Sequence, residues 1–474
     1  MQAADNPPPG SAPRSGDAAA EPAATPTHDA APGAAARPAG LAALARGRLL
    51  QRLRGQADTA GPAARLHAAQ DPHPQVPAAW CRFESHPAYE RLLVSQAAAR
   101  RMDVDNPFFR VHEGAAGATT RIDGREFVNF SSYDYLGLNG HPRIEQAVLQ
   151  AVRRYGTSAS ASRLVAGERP VQRELERELA DCYGAEECVA FVSGHATNVS
   201  TIGCLLGPKD LVLHDALVHN SVLEGIKLSG AHRRGFAHND WRQLDALLHE
   251  LRGNFERVLI VIEGLYSMDG DTPELQRFVE IKQRHKAWLM VDEAHSLGVL
   301  GSTGRGLAEH CGMPPGCVDI WMGTLSKSLA GCGGFIAGSR ALVELLKYTA
   351  PGFVYSVGLS PALAAASLEA LRMLREQPER VQALRDNGAF LCGYAKSRGI
   401  DTGRSLGFAV TPAITGSSLK AVQASNALLE QGFNVQPIVH PAVEERAARL
   451  RFFVCASHTR EQIASAVDAL ARVS

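Results

Sequence analysis

The fold follows from the stretch Trp288-Leu289-Met290-Val291-Asp292-Glu293-Ala294-His295-Ser296-Leu297-Gly298. An apolar run ends abruptly in an acid and a histidine. That pattern reads as a short strand buried on both faces, with its polar residues at the carboxyl end. Similar apolar runs occur at 188–192, 211–214, 258–262, 320–322 and 334–337, and helical patterns separate most of them. Apolar strands alternating with helices predict a mainly parallel sheet covered on both sides, an α/β fold.

Working outward, helical patterns occupy 84–101, 142–155 and 171–183, and extended ones 108–111 and 119–130, with a turn at Asp123-Gly124. From about Ser339 long helices follow. A smaller α+β portion then carries extended stretches at 408–411, 434–438 and 449–454. The expected organisation is a tail over 1–80, an N-terminal segment over 81–130, a large domain over 131–345 and a small C-terminal domain over 346–474. The tail is rich in Ala, Pro and Gly and reads as disordered. Within it, 41–56 places Leu at helical spacing with Arg46, Arg48, Arg52 and Arg54 between. This is either a transient helix or a basic amphipathic one for a carrier protein or membrane surface.

Composition narrows the class. The chain has 474 residues, 45% of them apolar, with 49 basic and 49 acidic side chains. The balance gives no support for nucleic-acid binding, and no apolar run is long enough to predict a transmembrane helix. Nine scattered cysteines without a Cys-x-x-Cys pair suit a reduced, cytoplasmic protein and no metal site.

In open parallel sheets ligands sit outside the carboxyl ends of the strands. After 188–192 comes Ser193-Gly194-His195-Ala196-Thr197-Asn198, a helix start whose free N–H groups suit a phosphate. After 288–291 come Asp292 and His295. After 320–322 comes Gly323-Thr324-Leu325-Ser326-Lys327-Ser328. A phosphate cradle, an anion and a lysine among small hydroxyl residues, in this order, are the parts pyridoxal phosphate needs.

These residues resemble a known family. Asn129-Phe130-Ser131-Ser132-Tyr133-Asp134-Tyr135-Leu136-Gly137-Leu138, Ser162-Arg163-Leu164-Val165-Ala166-Gly167, Ser267-Met268-Asp269-Gly270-Asp271 and the 291–298 stretch look like the α-oxoamine synthases of the pyridoxal-phosphate enzymes. That family includes 8-amino-7-oxononanoate synthase, 2-amino-3-ketobutyrate CoA ligase, 5-aminolevulinate synthase and serine palmitoyltransferase. The resemblance runs from about residue 85 to the C-terminus. It implies the aspartate-aminotransferase type of fold, a homodimer, and decarboxylative condensation of an L-amino acid with an acyl thioester, on coenzyme A or an acyl carrier protein, to an α-aminoketone.

It also implies roles. Lys327 carries the cofactor as a Schiff base and moves the α-proton. Asp292 pairs with the pyridine nitrogen, and His295 bonds the phenolic oxygen. His219 stacks on the ring and orients substrate. Gly194, His195 and Thr324 hold the phosphate, and Ser267 is a further cofactor contact. Arg451 binds the substrate carboxylate, with Arg449 competing for that task, and Tyr133 lies near the same carboxylate. Some positions depart from the oxononanoate synthase pattern. Tyr133, Ser326 and Ser328 are more similar to the serine palmitoyltransferase branch. Val439 stands where an arginine is expected. His195 replaces an aromatic residue, and Val357-Gly358 replace small hydroxyl residues that reach a partner's phosphate, a task open to Ser356 or Ser360. Other reactions on this fold, amino transfer or aldol cleavage, remain alternatives. A non-catalytic partner subunit would lack the cofactor lysine, and Lys327 is present.

Overall fold

The computed structural model describes residues 75–473. The expected tail over 1–80 therefore lies outside the described residues save for 75–80, and so does the basic helix at 41–56. Two compact units meet at Ala98/Ala99 in sequence. In the first, short helical turns at Ala78–Cys81 and Phe83–Ser85 precede the greater part of α1 (Pro87–Arg101). The second holds the three sheets.

Its centre is a seven-stranded sheet of β3 (Glu187–Phe191), β4 (Leu211–Asp215), β5 (His232–Phe236), β6 (Val258–Glu263), β7 (Trp288–Asp292), β8 (Ile320–Thr324) and β9 (Gly334–Gly338), in the order β3-β9-β8-β7-β6-β4-β5. Pairing is parallel from β5 through β8, and β9 runs antiparallel to both its neighbours. Alternate residues of each strand serve opposite faces. Leu259, Val261, Met290 and Met322 pack on one side with Ile202 of α4 (Gly194–Leu205), Val222 and Ile226 of α5 (Asn220–Ser229) and Leu346. Ile260, Ile262, Leu289, Val291 and Trp321 pack on the other with Leu179, Leu248, Phe278 and Leu371. The two cores explain why the strands read as continuous apolar runs.

Two three-stranded sheets accompany it. One joins β1 (Thr119–Ile122), β2 (Arg125–Asn129) and β11 (Phe433–Asn434). Its first two strands form the hairpin expected at Asp123-Gly124, where both residues take positive φ. The other joins β10 (Val410–Ile414), β13 (Arg449–Phe453) and β12 (Gln436–Ile438). The stretch read as one extended run at 434–438 is thus shared between two sheets.

Two expectations fail. Residues 108–111 form no strand, because Phe109 sits at φ 61°, outside the extended region. β5 was not foreseen, because its sequence His-Arg-Arg-Gly-Phe buries only its last residue. An edge strand needs no apolar run.

Gly323 in β8 pairs across with Phe335, and a Cβ there would lie 2.3 Å from the Phe335 ring. Gly253 has open space around its Cβ position. Gly323→Ala should cost about 1–3 kcal/mol through overpacking, whereas Gly253→Ala should leave the urea midpoint nearly unchanged. Equal midpoints for the two variants would contradict this packing.

Candidate active site

Parallel pairing brings Glu263 of β6 opposite Asp292 of β7 and Asp292 opposite Met322 of β8, so all three strand ends open on the same edge. There a cavity of about 370 Å³ is lined by residues from these ends and the segments beyond them. The lining includes every site residue expected from sequence: Tyr133, Gly194, His195, His219, Ser267, Asp292, His295, Thr324, Lys327 and Arg451. A cleft of about 530 Å³ lies at the opposite edge, around Trp288, Pro315, Ile320 and Leu342. It carries none of these groups.

Asp292 is buried. Its Oδ1 accepts from the Ala294 amide at 3.0 Å, and its Oδ2 accepts from the Asn198 side-chain amide at 2.9 Å. Asn198 donates equally to Ser221 Oγ at 2.9 Å, and that hydroxyl lies 2.7 Å from His219 Nδ1. One amide therefore ties the anion to the histidine.

His295 is buried, with Nδ1 2.7 Å from the Tyr135 hydroxyl and its ring stacked on Phe453 at 6.2 Å. Burial, with Lys327 and Arg451 near, holds its pKa well below the ordinary value. The ring is neutral at pH 7. With Tyr135 donating to Nδ1, Nε2 carries the ring's proton.

Lys327 has its ammonium 5.6 Å from the Tyr133 ring centroid. Burial pulls its pKa down to about 8, against the opposing pull of Asp292 and Glu263. Glu263 is also buried, and burial together with Asp292 pushes its pKa well up.

At the start of α4 a Cβ on Gly194 would lie 3.0 Å from Thr324 Oγ1. A glycine there lets the helix N-terminus approach the lysine loop. Ser193 caps this helix by accepting from the Ala196 amide, and Thr324 Oγ1 donates to the Gly333 carbonyl at 2.9 Å.

The two arginines of β13 separate. Arg449 is spent on structure: it donates to the Met268 carbonyl and to Asp269 Oδ1, both at 2.8 Å. Arg451 lines the cavity, donates to the Ser267 carbonyl at 3.1 Å and lies 3.4 Å from the Tyr133 hydroxyl.

Asn198 Oδ1, Glu263 Oε1 and Arg451 Nε are buried polar atoms without a hydrogen-bond partner, and all three residues line the cavity. Buried orphans of this kind are costly, and a polar group bound here would satisfy them. The site offers an amine of lowered proton affinity, a buried anion and helix N–H groups, a donor set that fits pyridoxal phosphate. Sequence reasoning missed Asn198, Ser221, Tyr135 and Glu263. Glu263 alone had a signal, since it directly follows the 258–262 run. Elsewhere, Asp245, His249 and His285 group closely. There Arg284 already holds both Asp245 oxygens, at 2.9 and 3.0 Å.

The sequence profile of the family described as aminotransferase class I and II matches residues 125–470. The 8-amino-7-oxononanoate synthase of Thermoanaerobacter pseudethanolicus is 38% identical over 77% of this chain and 91% of its own length. That of Methylococcus capsulatus is 41% identical over 76% and 93%. Among solved structures, a serine palmitoyltransferase from S. paucimobilis with bound PLP superposes with TM-score 0.79 at 28% identity, over 83% of this chain and 98% of that one. The Sphingomonas wittichii serine palmitoyltransferase does so with TM-score 0.78 at 28% identity, over 82% and 97%. With more than half its length matched by that profile, and relatives near 40% identity covered almost end to end, the chain belongs to the aminotransferase class I and II family.

Proposed function

We propose that this protein condenses an L-amino acid with an acyl thioester on pyridoxal phosphate, releasing the thiol and carbon dioxide and giving an α-aminoketone. The observation that carries the reading is Lys327. Its amine, with pKa lowered to about 8, lies in one cavity with Asp292 and with an arginine whose Nε is unpartnered. The oxononanoate synthase and serine palmitoyltransferase relatives support the reaction class.

Bound pyridoxal phosphate supplies an electron sink that makes the amino acid's α-hydrogen acidic. Lys327 would hold the cofactor through its amine and would serve to take and return the α-proton. A pKa near 8 leaves an appreciable neutral fraction for that task at pH 7. Asp292, held by Asn198 and Ala294, would pair with the pyridine nitrogen, and neutral His295 would donate to the phenolic oxygen. The α4 N-terminus at Gly194 and His195, with Thr324, would hold the phosphate, with Ser267 as a further contact. His219, fixed through Ser221, would stack on the ring and orient substrate. Arg451, beside Tyr133, grips the substrate carboxylate through a planar fork.

Quaternary structure and compartment belong to the same proposal. Segments 161–167 and 351–358 adjoin, with Ser162 Oγ donating to the Val354 carbonyl at 2.7 Å and the Gly358 amide donating to the Ala161 carbonyl at 2.9 Å. They expose Val165, Tyr355 and Val357. Large apolar side chains left exposed on two adjoining segments support a homodimer. The Ser360 hydroxyl donates to the Thr157 carbonyl of its own chain, which leaves Ser356 as the candidate to reach a partner's phosphate. All nine cysteines are free, and no helix among the described residues is long and apolar enough to cross a membrane. Both features suit a cytoplasmic enzyme.

Wild-type protein with added cofactor should develop a visible absorbance band and release thiol only when both amino acid and acyl thioester are present. Lys327→Ala should lose both. Amino transfer to a keto acid without thiol release would sink the assignment. Arg451→Lys removes a bidentate charge-assisted contact worth roughly 1.5–3 kcal/mol. It should therefore raise the amino-acid KM about tenfold or more, with the acyl-thioester KM little changed. Val165→Asp should convert a dimer to a monomer in sedimentation, and a wild-type monomer would remove the dimer reading.

A further inference from the structure

His238, two residues beyond β5, does not line the cavity, yet it joins two of its walls. Its side chain is only 7% exposed and is gripped at both ends. Nδ1 lies 3.0 and 3.2 Å from the two oxygens of Asp215, and Nε2 lies 2.8 Å from Asp271 Oδ2. Both nitrogens face carboxylates, and only an imidazolium can donate to both.

Each carboxylate anchors a different turn. Asp215 ends β4 and accepts from the amides of Leu217 at 2.8 Å and Asn239 at 2.7 Å, which sets the turn leading to His219. Asp271 closes the next turn, where its carbonyl accepts from the Tyr266 amide at 2.9 Å and the Gly270 amide donates to the Tyr266 carbonyl at 2.8 Å. The middle of that turn supplies the Ser267 carbonyl to Arg451 and the Met268 carbonyl to Arg449.

We propose that His238 is a positioning residue for amino-acid binding: its protonated ring yokes the His219 turn to the Ser267–Asp271 turn and so sets His219 against Arg451. This rests on the reading that His219 and Arg451 hold the amino acid.

The electrostatics agree with the geometry. Burial opposes the charge, but the hydrogen bonds and fields of Asp215 and Asp271 outweigh it and raise the His238 pKa to about 9. Two further groups face the ring: the Asn239 side-chain amide, 3.4 Å from Nε2, and Tyr266, edge-on at 4.4 Å. Burial pushes its own pKa well up, so it stays neutral. A pKa raised from 6.5 to about 9 means the yoke is fully in force below about pH 6.5 and is lost as pH rises through about 9.

The test uses the full-length protein loaded with pyridoxal phosphate. Amino-acid binding is titrated by the visible band, and the KM for the acyl thioester is measured beside it. His238→Gln removes the charge. Asp271→Asn removes the charge of one arm and keeps the His238–Asp215 pair, which guards against a variant that fails to fold. Both should weaken amino-acid binding about tenfold, as for a lost contact to a charged group, with the cofactor band and acyl-thioester KM at wild-type values. The high-pH loss of wild-type amino-acid affinity should move to lower pH in Asp271→Asn, which a merely structural role would not produce. Unchanged binding in Asp271→Asn while Arg451→Lys weakens it overturns the yoke. Equal losses for amino acid, acyl thioester and cofactor also overturn it. If Arg451→Lys leaves binding intact, the underlying site assignment falls and takes the yoke with it.

Discussion

Asp292 ends β7 between Glu263 of β6 and Met322 of β8, and the parallel register of these strands makes their last residues neighbours. Each strand alone buries a chemically plain apolar run. Pairing in one direction delivers the residues that follow each run to a single edge, where the helix start at Gly194 meets the lysine loop. A slip of one residue in β7 would turn Asp292 toward the opposite face. The two-sided core guards the register, because Met290 and Val291 belong to different faces and cannot be exchanged.

The same burial that fixes the sheet sets the proton affinities. Removing charged groups from water favours their neutral forms. That pushes the Glu263 carboxyl toward its protonated form, keeps His295 uncharged and brings Lys327 within reach of neutral pH. Asp292 differs from Glu263 in its donors. Asn198 and Ala294 serve its two oxygens, whereas Glu263 Oε1 has none. Two adjacent acids thus differ in their partners: both oxygens of Asp292 are served, whereas Glu263 has the Ser267 amide on Oε2 at 3.3 Å and nothing on Oε1.

Much of this was legible in the chain. Residues directly after apolar runs were readable because the strand period and the runs' ends fix where they emerge, and Asp292, Thr324 and Lys327 all lie there. Asn198 and Ser221 were not readable. They sit inside helices α4 and α5, and their value comes from helix packing that brings an amide within 2.9 Å of both a hydroxyl and a carboxylate. His238 was invisible for a related reason: it follows a polar edge strand that carries no hydrophobic signal, and its partners come from elsewhere, Asp215 from the end of β4 and Asp271 from the turn beyond β6.

Arg449 and Arg451 show where sequence stops and structure begins to decide. They stand two apart on one strand, so periodicity puts them on the same face and gives each an equal claim on a substrate carboxylate. Their partners break the tie. Arg449 donates from Nε to Ala447 and from Nη1 to Met268 and Asp269, and so pins the 267–271 turn. That turn then presents the Ser267 carbonyl to Arg451 at 3.1 Å, which orients the second guanidinium without consuming it. Arg451 keeps a buried Nε unpartnered. Because a guanidinium is planar, fixing one nitrogen aims the remaining donors, a constraint that a lysine ammonium on a flexible stem could not transmit. One arginine builds the mount, and the other keeps donors free for a ligand.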